Sequence, residues 1–278
     1  MFQRLTAHLR HVAFQAGRRL ALGDRRYRVK GYLPNRLATD RTHEPHLQVV
    51  FRRLLSGRDG AFVDVGANLG QTLVSVLSID PQRQYVGFEP QIMCCAYLTQ
   101  FAADNRLRNV KIMPLALSNR YSVLDLHASN LGDVMATTLS DAGTPVVASV
   151  PVAPGDEILM RLKLDRIAIV KIDVEGAELE VMEGLRETIA RHQPAIVFEL
   201  LPNFTGVERA FRGDDVRDAN RERAARISSF LTAAGYRILQ IDEAGGEHPI
   251  ERFELDDPEH FVGSDYLALP SDPAALPN

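Results

Sequence analysis

An α/β fold with a mostly parallel, Rossmann-like sheet is predicted by three features of the sequence. From residue 59 onward, short apolar runs alternate with longer segments of helical periodicity, which is typical of right-handed βαβ units. The first run, Ala61 to Val65, leads into a turn that contains Gly66 and Gly70. A later apolar run at 167–172 resumes the alternation after an interruption. Together these features predict one large domain with some additions.

The composition is that of an ordinary globular protein and disfavours some partners. The chain has 278 residues, of which 45% are hydrophobic and 24% charged. Lys and Arg number 32 against 36 Asp and Glu, so the net charge of −4 argues against a nucleic-acid partner and favours a small-molecule or glycan acceptor. No apolar run is long enough for a transmembrane segment. The adjacent Cys94 and Cys95 cannot form an ordinary disulfide, so we expect a cytoplasmic location.

Residues 1–58 are expected to form an N-terminal helical extension or cap. Met1 to Leu22 mixes apolar residues with arginines in the pattern of a basic amphipathic helix. Such a helix could pack on the rest of the protein, pack on a second subunit of a homodimer, or make a peripheral membrane contact. A short extended piece at 27–30 and a helix ending at Gly57 complete the extension.

The core elements then follow in order along the chain. The predicted elements of the first half are strands at about 61–65, 84–88 and 110–114 and helices at about 69–78 and 91–104. The predicted elements of the second half are a strand at 167–172, a helix at 178–191, a strand at 195–199, a helix at 217–234 and strands at 236–241 and 266–269. The main domain is therefore expected to span 59–270, followed by a flexible tail at 271–278.

An inserted β-hairpin is predicted between the two halves. Ser122 to His127 and Val146 to Val152 have the pattern of short antiparallel strands around a polar loop. An insertion of this kind commonly covers a substrate site.

The turn at 64–70, Asp-Val-Gly-Ala-Asn-Leu-Gly, is a candidate cofactor site. Glycine tolerates a positive φ and lets backbone pass close to a ligand, while the start of a helix offers unpaired N–H groups. A second apolar run ends in Glu89 and Pro90, where a carboxylate can accept both hydroxyls of a ribose. The simpler interpretation is a tight turn that binds no ligand.

Two cofactor classes share this layout. The dinucleotide fingerprint needs three glycines, whereas this turn has only Gly66 and Gly70, with Asn68 between them. The charge of Asp64 would oppose a pyrophosphate and favour the ammonium group of a methionine moiety. S-adenosylmethionine is therefore favoured over NAD. A nicotinamide oxidoreductase is the main alternative, and a catalytically silent cofactor-binding or interaction module is another.

The second candidate segment, Lys171 to Glu178, lies at the carboxyl end of the fourth predicted parallel strand, where open α/β sheets place their sites. Asp173 and Glu175 are expected to enter the crevice, and Gly176 permits the turn into the next helix. A structural interpretation is that both carboxylates cap that helix.

These segments resemble the FkbM-type family of class I S-adenosylmethionine-dependent methyltransferases. The matching segments are 64–70, 88–90, 116–118, 171–178 and 198–200. The resemblance spans about 59–201 and implies a seven-stranded Rossmann-like sheet and methylation of a hydroxyl on a sugar, polyketide or other natural product. It covers neither the N-terminal extension nor the segment 202–216.

The resemblance also implies roles for individual residues. The turn would line the methionine end of the cofactor, Glu89 would hold the ribose, and 116–118 would border the adenine. The cofactor-binding residues implied are Asp64, Gly66, Ala67, Asn68, Gly70, Glu89, Pro90, Ala116, Leu117, Ser118 and Asp173. The chain departs from many relatives at 154–157, so no role is carried over to Asp156.

Methyl transfer to an alcohol requires alignment of the acceptor oxygen and removal of its proton. Asp173 and Glu175 are the first candidates for this catalytic role, and His127 in the inserted hairpin is the second. No cluster of His, Cys or carboxylate residues has metal-ligand spacing in the sequence, so metal independence is predicted.

Overall fold

A central sheet organises the chain in the computed structural model, which describes residues 18–22, 25–29, 44–127, 146–200, 214–253 and 264–271. The strands are β1 Arg18–Leu22, β2 Arg25–Val29, β3 Ala61–Val65, β4 Tyr85–Phe88, β5 Val110–Met113, β6 Ala116–Ser118, β7 Ser122–His127, β8 Val146–Pro154, β9 Ile167–Ile172, β10 Ala195–Glu199, β11 Tyr236–Ile241, β12 Glu247–Pro249 and β13 Asp265–Pro270. The helices are α1 Pro45–Gly57, α2 Gln71–Ile79, α3 Ile92–Asp104, α4 Gly155–Leu162, α5 Glu178–Gly184, α6 Arg186–His192 and α7 Asp214–Ala233.

The large sheet has the strand order β12-β11-β13-β10-β9-β3-β4-β5. Its central strands β10, β9, β3, β4 and β5 are parallel, while β13 pairs antiparallel with both of its neighbours. The prediction of a mostly parallel seven-stranded sheet is confirmed, and the three-residue strand β12 extends it at one edge. The strand order reverses between β3 and β9, so a crevice is expected at the carboxyl ends of these two strands.

Helices cover both faces of the sheet because its central strands are apolar on both sides. One face packs against α4, α5, α6 and α7, with Leu179, Met182 and Ile227 buried there. The other packs against α1, α2 and α3, with Phe51 and Leu73 buried there. Helix α1 therefore shares a core with the sheet, although the sequence assigned it to the extension. No helix among the described residues has the length and apolarity to cross a membrane.

The prediction of one amphipathic helix through Leu22 is wrong for residues 18–22, and residues 1–17 lie outside the described part of the chain. Strand β1 pairs antiparallel with β2, and the two runs are separated by Gly23 and Asp24, a dipeptide typical of hairpin turns. Contacts far along the chain hold the hairpin. Tyr27 stacks on Phe101, and the Arg28 carbonyl accepts a 2.7 Å hydrogen bond from Asn105 Nδ2.

The helix predicted at 178–191 is in fact two helices, α5 and α6, which are broken at Leu185. A Cβ at Gly184 would lie 1.9 Å from the carbonyl oxygen of Ser118, so glycine lets the end of α5 approach β6 closely. Helix α7 begins three residues before the predicted position, at Asp214.

The inserted hairpin is present as β7 and β8, which pair antiparallel. Strand β6 adds to β8 in parallel, so the insertion is a separate three-stranded sheet of order β6-β8-β7. Its predicted polar loop lies outside the described residues, as does nearly all of the predicted tail.

Candidate active site

A cavity of about 360 Å³ lies at the carboxyl ends of the central parallel strands, where the strand order reverses. This volume is within the range of small-molecule sites. The first wall comes from the strand ends and the segments that follow them: Val65, Gly66, Asn68, Phe88, Glu89, Pro90, Gln91, Asp173, Val174, Glu175, Gly176 and Ala177. The second comes from the region of the inserted sheet and from two helices: Leu115, Ala116, Leu117, Ser118, Arg120, Ser122, Leu124, Leu126, Glu180 and Arg223.

The glycine turn is held by backbone contacts within the protein. Gly66, Asn68 and Gly70 all have positive φ, at 91°, 47° and 95°. A Cβ at Gly66 would lie 1.7 Å from the Asp173 carbonyl oxygen, and the Asp173 N–H donates to the Val65 carbonyl at 2.9 Å. The close contact expected at Gly66 is therefore with the backbone of the segment after β9, and it exists independently of any ligand that the turn binds.

Glu89 joins the turn to the cavity. Its Oε2 accepts a hydrogen bond from the Asn68 N–H and its Oε1 accepts one from the Gln91 N–H, both at 2.7 Å. Burial raises the pKa of Glu89 to about 7 despite these two donors. Each carboxylate oxygen has room for a second hydrogen bond, so Glu89 can support the turn and bind a polar ligand together.

Asp64 lies beneath the cavity and does not line it. The side chain is fully buried, and its Oδ2 accepts a hydrogen bond from the Tyr85 hydroxyl. Its Oδ1 has no hydrogen-bond partner within the described part of the chain. Burial raises the pKa of Asp64 to about 6, although Lys171 and the Tyr85 hydroxyl act in the opposite direction.

Asp173 and Glu175 both line the cavity, directly after β9. Asp173 Oδ2 accepts a 2.7 Å hydrogen bond from the Nζ atom of Lys171, which is 4% exposed. Burial, reinforced by the charge of Asp173, raises the pKa of Glu175. Within the described residues, α5 begins after Ala177 with no side-chain cap, so neither carboxylate acts as the helix cap of the structural interpretation.

Two acidic residues stand next to this segment without lining the cavity. Glu178 accepts a 3.0 Å hydrogen bond from the Gly176 N–H, and burial raises its pKa to about 7. Glu199 ends β10 beside Asp173. Burial and the charges of Asp173 and Asp265 raise the pKa of Glu199 to about 8.

The Arg223–Glu180 ion pair at the cavity was not found by sequence reasoning. Arg223 Nη1 donates to Glu180 Oε1 at 2.9 Å, while Nη2 donates to Glu180 Oε2 at 2.6 Å and to the Gly176 carbonyl at 2.8 Å. The two side chains lie 43 residues apart on α7 and α5, so no local pattern could have indicated the pair.

Several predicted residues lie away from the cavity surface. Ala67 is 2% exposed, and a Cβ at Gly70 would lie 2.5 Å from Leu98 Cδ2, so both positions belong to the packed interior of the turn. His127 ends β7 and is not among the lining residues. The other predicted residues, Gly66, Asn68, Glu89, Pro90, Ala116, Leu117, Ser118, Asp173 and Glu175, come together around the cavity. Within the described residues, no group of three or more His, Cys, Asp or Glu could hold a metal ion.

Comparison with known proteins agrees with this geometry. The profile of the family described as "Methyltransferase FkbM domain" matches residues 64–238, which is more than half of the chain and includes both candidate segments. The 2-O-methyltransferase NoeI of Sinorhizobium fredii is 27% identical over 164 residues, which cover 52% of this chain and 65% of that protein. The match therefore spans slightly less than two thirds of the relative's length.

Solved structures give weaker matches. The methyltransferase FkbM from Methylobacillus flagellatus is 16% identical, with a TM-score of 0.45, over 75% of this chain and 43% of that chain. An O-methyltransferase from Bacillus cereus in complex with SAH is 10% identical, with a TM-score of 0.46, over 86% of this chain and 84% of that chain.

Proposed function

Because the chain belongs to the methyltransferase FkbM family, we propose that it transfers a methyl group from S-adenosylmethionine to a hydroxyl of a sugar, glycan or natural product. The observation that carries the proposal is the meeting of Glu89, Asp173 and Glu175 on one cavity at the reversal of strand order. This arrangement supports the proposal, because a carboxylate suited to binding the donor and two possible proton acceptors line the same cavity.

The residues present fit S-adenosylmethionine. Glu89 has its two oxygens anchored by backbone N–H groups and still borders the cavity, so it would accept hydrogen bonds from the ribose. Gly66, Asn68 and Pro90 would border the rest of the donor, and 116–118 would border the adenine. Asp64, Ala67 and Gly70 would not contact the donor but would shape the turn that binds it. When bound, the donor supplies a methyl group on a sulfonium, which is a good leaving group.

The protein's own task is then to place an acceptor hydroxyl and receive its proton. Asp173 or Glu175 would orient that hydroxyl and accept the proton as the oxygen becomes methylated. Both carboxylates line the cavity, whereas His127 does not, so His127 is retained as the second candidate. The side chains have only to align the acceptor hydroxyl and accept one proton, and no covalent intermediate with the enzyme is needed.

A hydroxyl acceptor is supported by the name of the relative NoeI, a 2-O-methyltransferase. The apolar residues Leu115, Leu124 and Leu126 form much of the opposite wall, which suits the carbon faces of a sugar or natural product. The cytoplasmic location, the homodimer and the peripheral membrane contact stay predictions.

Ligand-dependent thermal stability tests the donor assignment, because a ligand that binds only the folded state raises the melting temperature. We expect S-adenosylmethionine and S-adenosylhomocysteine to stabilise the protein and NAD to have no effect. Stabilisation by NAD alone would favour the oxidoreductase alternative. A response to S-adenosylmethionine without methyl transfer to any compound in a screen of hydroxylated glycans and natural products, using radiolabelled donor, would favour the silent module.

A further inference from the structure

Lys171 is an unusual residue for the middle of a sheet. It lies on β9 between the neighbouring strands β3 and β10, and it is 4% exposed. Burial of an ammonium group is costly unless the group is paired and hydrogen-bonded. Lys171 does not line the cavity, and the site residues implied by the family resemblance do not include it.

The surroundings of Lys171 connect the interior to the cavity. Its Nζ donates to Asp173 Oδ2 at 2.7 Å. In the pairing of β3 with β9, Lys171 is the register partner of Asp64, which in turn accepts a hydrogen bond from the Tyr85 hydroxyl. The Tyr85–Asp64 pair and the Lys171–Asp173 pair therefore lie side by side on neighbouring strands, and the second pair reaches the cavity wall.

Asp173 otherwise stands among negative groups. The carboxylates that its charge affects come from β3, the segment after β4, the segment after β9, the start of α5 and the end of β10: Asp64, Glu89, Glu175, Glu178 and Glu199. Asp265 of β13 adds another acidic group beside Glu199. The guanidinium of Arg223, which also borders the cavity, is occupied by Glu180 and the Gly176 carbonyl. Lys171 is the cation in direct contact with Asp173.

Lys171 is suited to remain charged in this position. Burial alone would lower its pKa, but the carboxylates of Asp173 and Asp64 outweigh burial, so the pKa of Lys171 is raised. Its ammonium uses one hydrogen-bonding position of Asp173 Oδ2, so the Asp173 carboxylate keeps further positions that can accept a hydrogen bond from a ligand.

We propose that Lys171 is a positioning residue for Asp173: its ammonium group fixes the orientation of the Asp173 carboxylate at the cavity wall. This inference rests on the proposed function, which places the transferred methyl group of the donor near Asp173. Lys171 acts through Asp173 and need not contact the donor or the acceptor.

The position of the Asp173 carboxylate can be tested without knowing the acceptor. Sinefungin carries a protonated amine where S-adenosylmethionine has its methyl sulfonium, whereas S-adenosylhomocysteine has neither. A carboxylate held beside that amine should favour sinefungin over S-adenosylhomocysteine by charge attraction. The ratio of the two affinities, measured by calorimetry at one neutral pH, therefore reports whether the Asp173 carboxylate faces the amine.

Lys171→Met should reduce this preference. Without the ammonium group the Asp173 carboxylate is no longer held in place, so we expect the affinity ratio to fall by roughly tenfold. Lys171→Arg, which can still donate to Asp173, should keep most of the ratio. Lys111→Met, which removes an exposed lysine of β5, is the control and should keep the wild-type ratio.

Two further variants keep the test decisive. If Lys171→Met does not fold, Lys171→Gln, which removes the charge but keeps a hydrogen-bonding group, should show a smaller loss in the same direction. Asp173→Asn should lower the affinity ratio at least as much as Lys171→Met. If Asp173→Asn lowers the ratio but the Lys171 variants keep the wild-type value, the role of Lys171 is refuted and the proposed function stands. If Asp173→Asn keeps the wild-type ratio, or the wild type binds neither compound, the placement of the donor fails and the inference fails with it.

Discussion

At the scale of single residues, Glu89 links the structure of the turn to the proposed binding of the donor. Its carboxylate accepts hydrogen bonds from the backbone N–H groups of Asn68, in the turn after β3, and Gln91, in the segment after β4. Loss of this group should therefore remove ribose contacts and loosen the turn that presents them.

We predict that Glu89→Ala weakens S-adenosylhomocysteine binding by at least about tenfold, because hydrogen bonds to a charged group contribute about 1.5–3 kcal/mol each. Glu89→Gln should lose less, since an amide oxygen still accepts one backbone N–H. Calorimetry on folded proteins measures both, with Glu243→Ala as the control for loss of an exposed carboxylate. Unchanged affinity in Glu89→Ala would exclude the ribose assignment.

Gly66 offers a second test at this scale. The sequence predicted that glycine at this position lets backbone pass close to a ligand. The 1.7 Å separation from the Asp173 carbonyl oxygen and the φ of 91° mean that even one methyl group displaces backbone.

We therefore predict that Gly66→Ala lowers the free energy of unfolding by about 2–4 kcal/mol, the combined scale of overpacking and a strained φ. Gly57→Ala is the matched control, because a Cβ there would meet nothing within 4 Å at the end of α1. Urea unfolding of both variants measures the difference. Equal stability of the two would show that the turn can relax away from β9.

At the scale of elements, α1 is fastened to the antiparallel side of the sheet. His46 Nε2 lies 2.7 Å from Asp265 Oδ2 on β13, and Arg53 pairs with Glu247 on β12. The hydrogen bond to Asp265 raises the pKa of His46 despite partial burial. The folded state thus holds this proton more tightly than the unfolded chain.

The stability that His46 contributes therefore depends on pH. This stabilisation of the folded state is fully present below the unfolded pKa of His46, about 6.5, and is lost as pH rises through its higher folded pKa. We predict that His46→Gln lowers the free energy of unfolding by roughly 1 kcal/mol near pH 6 and by much less near pH 8.5. The more exposed His248, which contacts Asp242, supplies the control His248→Gln. A pH-independent loss in His46→Gln would exclude this linkage.

The strands also show which parts of the fold could be predicted from the sequence alone. Strands β3, β4 and β9 were predicted closely because their apolar runs and the turns after them are local signals. Strand β1 was not predicted, because Arg18–Leu22, two arginines followed by three apolar residues, also fits the end of an amphipathic helix. Its strand conformation depends on pairing with β2, whose Arg28 carbonyl is bound by Asn105, far along the chain.

The same distinction between local and long-range signals applies to the residues of the candidate site. Glu89, Asp173 and Glu175 were located because the ends of parallel strands are predictable. The burial of Asp64 and the ion pair of Arg223 with Glu180 were not, since each depends on how separate elements pack.

At the scale of the whole molecule, acidic groups with raised pKa values gather at the carboxyl edge of the sheet. Burial is the largest cause for each, with pKa values of about 6 for Asp64, about 7 for Glu89 and Glu178, and about 8 for Glu199. The folded protein therefore retains protons that the unfolded chain has released at neutral pH.

We predict that the ligand-free protein becomes less stable as pH rises from about 5 to about 8.5, because a raised carboxyl pKa gives stability that is lost as the group ionises in the folded state. Thermal midpoints across this range measure the trend. Glu199→Gln should flatten it between about pH 6 and about pH 8, and His46→Gln separates the histidine contribution. A stability maximum near about pH 8 in the wild type would contradict the prediction.

The contact of Gly66 with the Asp173 carbonyl has a consequence for redesign of the enzyme. It joins the segments after β3 and β9 backbone to backbone, so the proposed donor site and the proposed catalytic carboxylates form one unit that cannot be exchanged in parts. Strand β7 contributes Ser122, Leu124 and Leu126 to the opposite wall and takes no part in that contact. A new acceptor preference is therefore best sought by transplanting the β7–β8 hairpin from a relative, while β6, the central strands and their turns are left as they are.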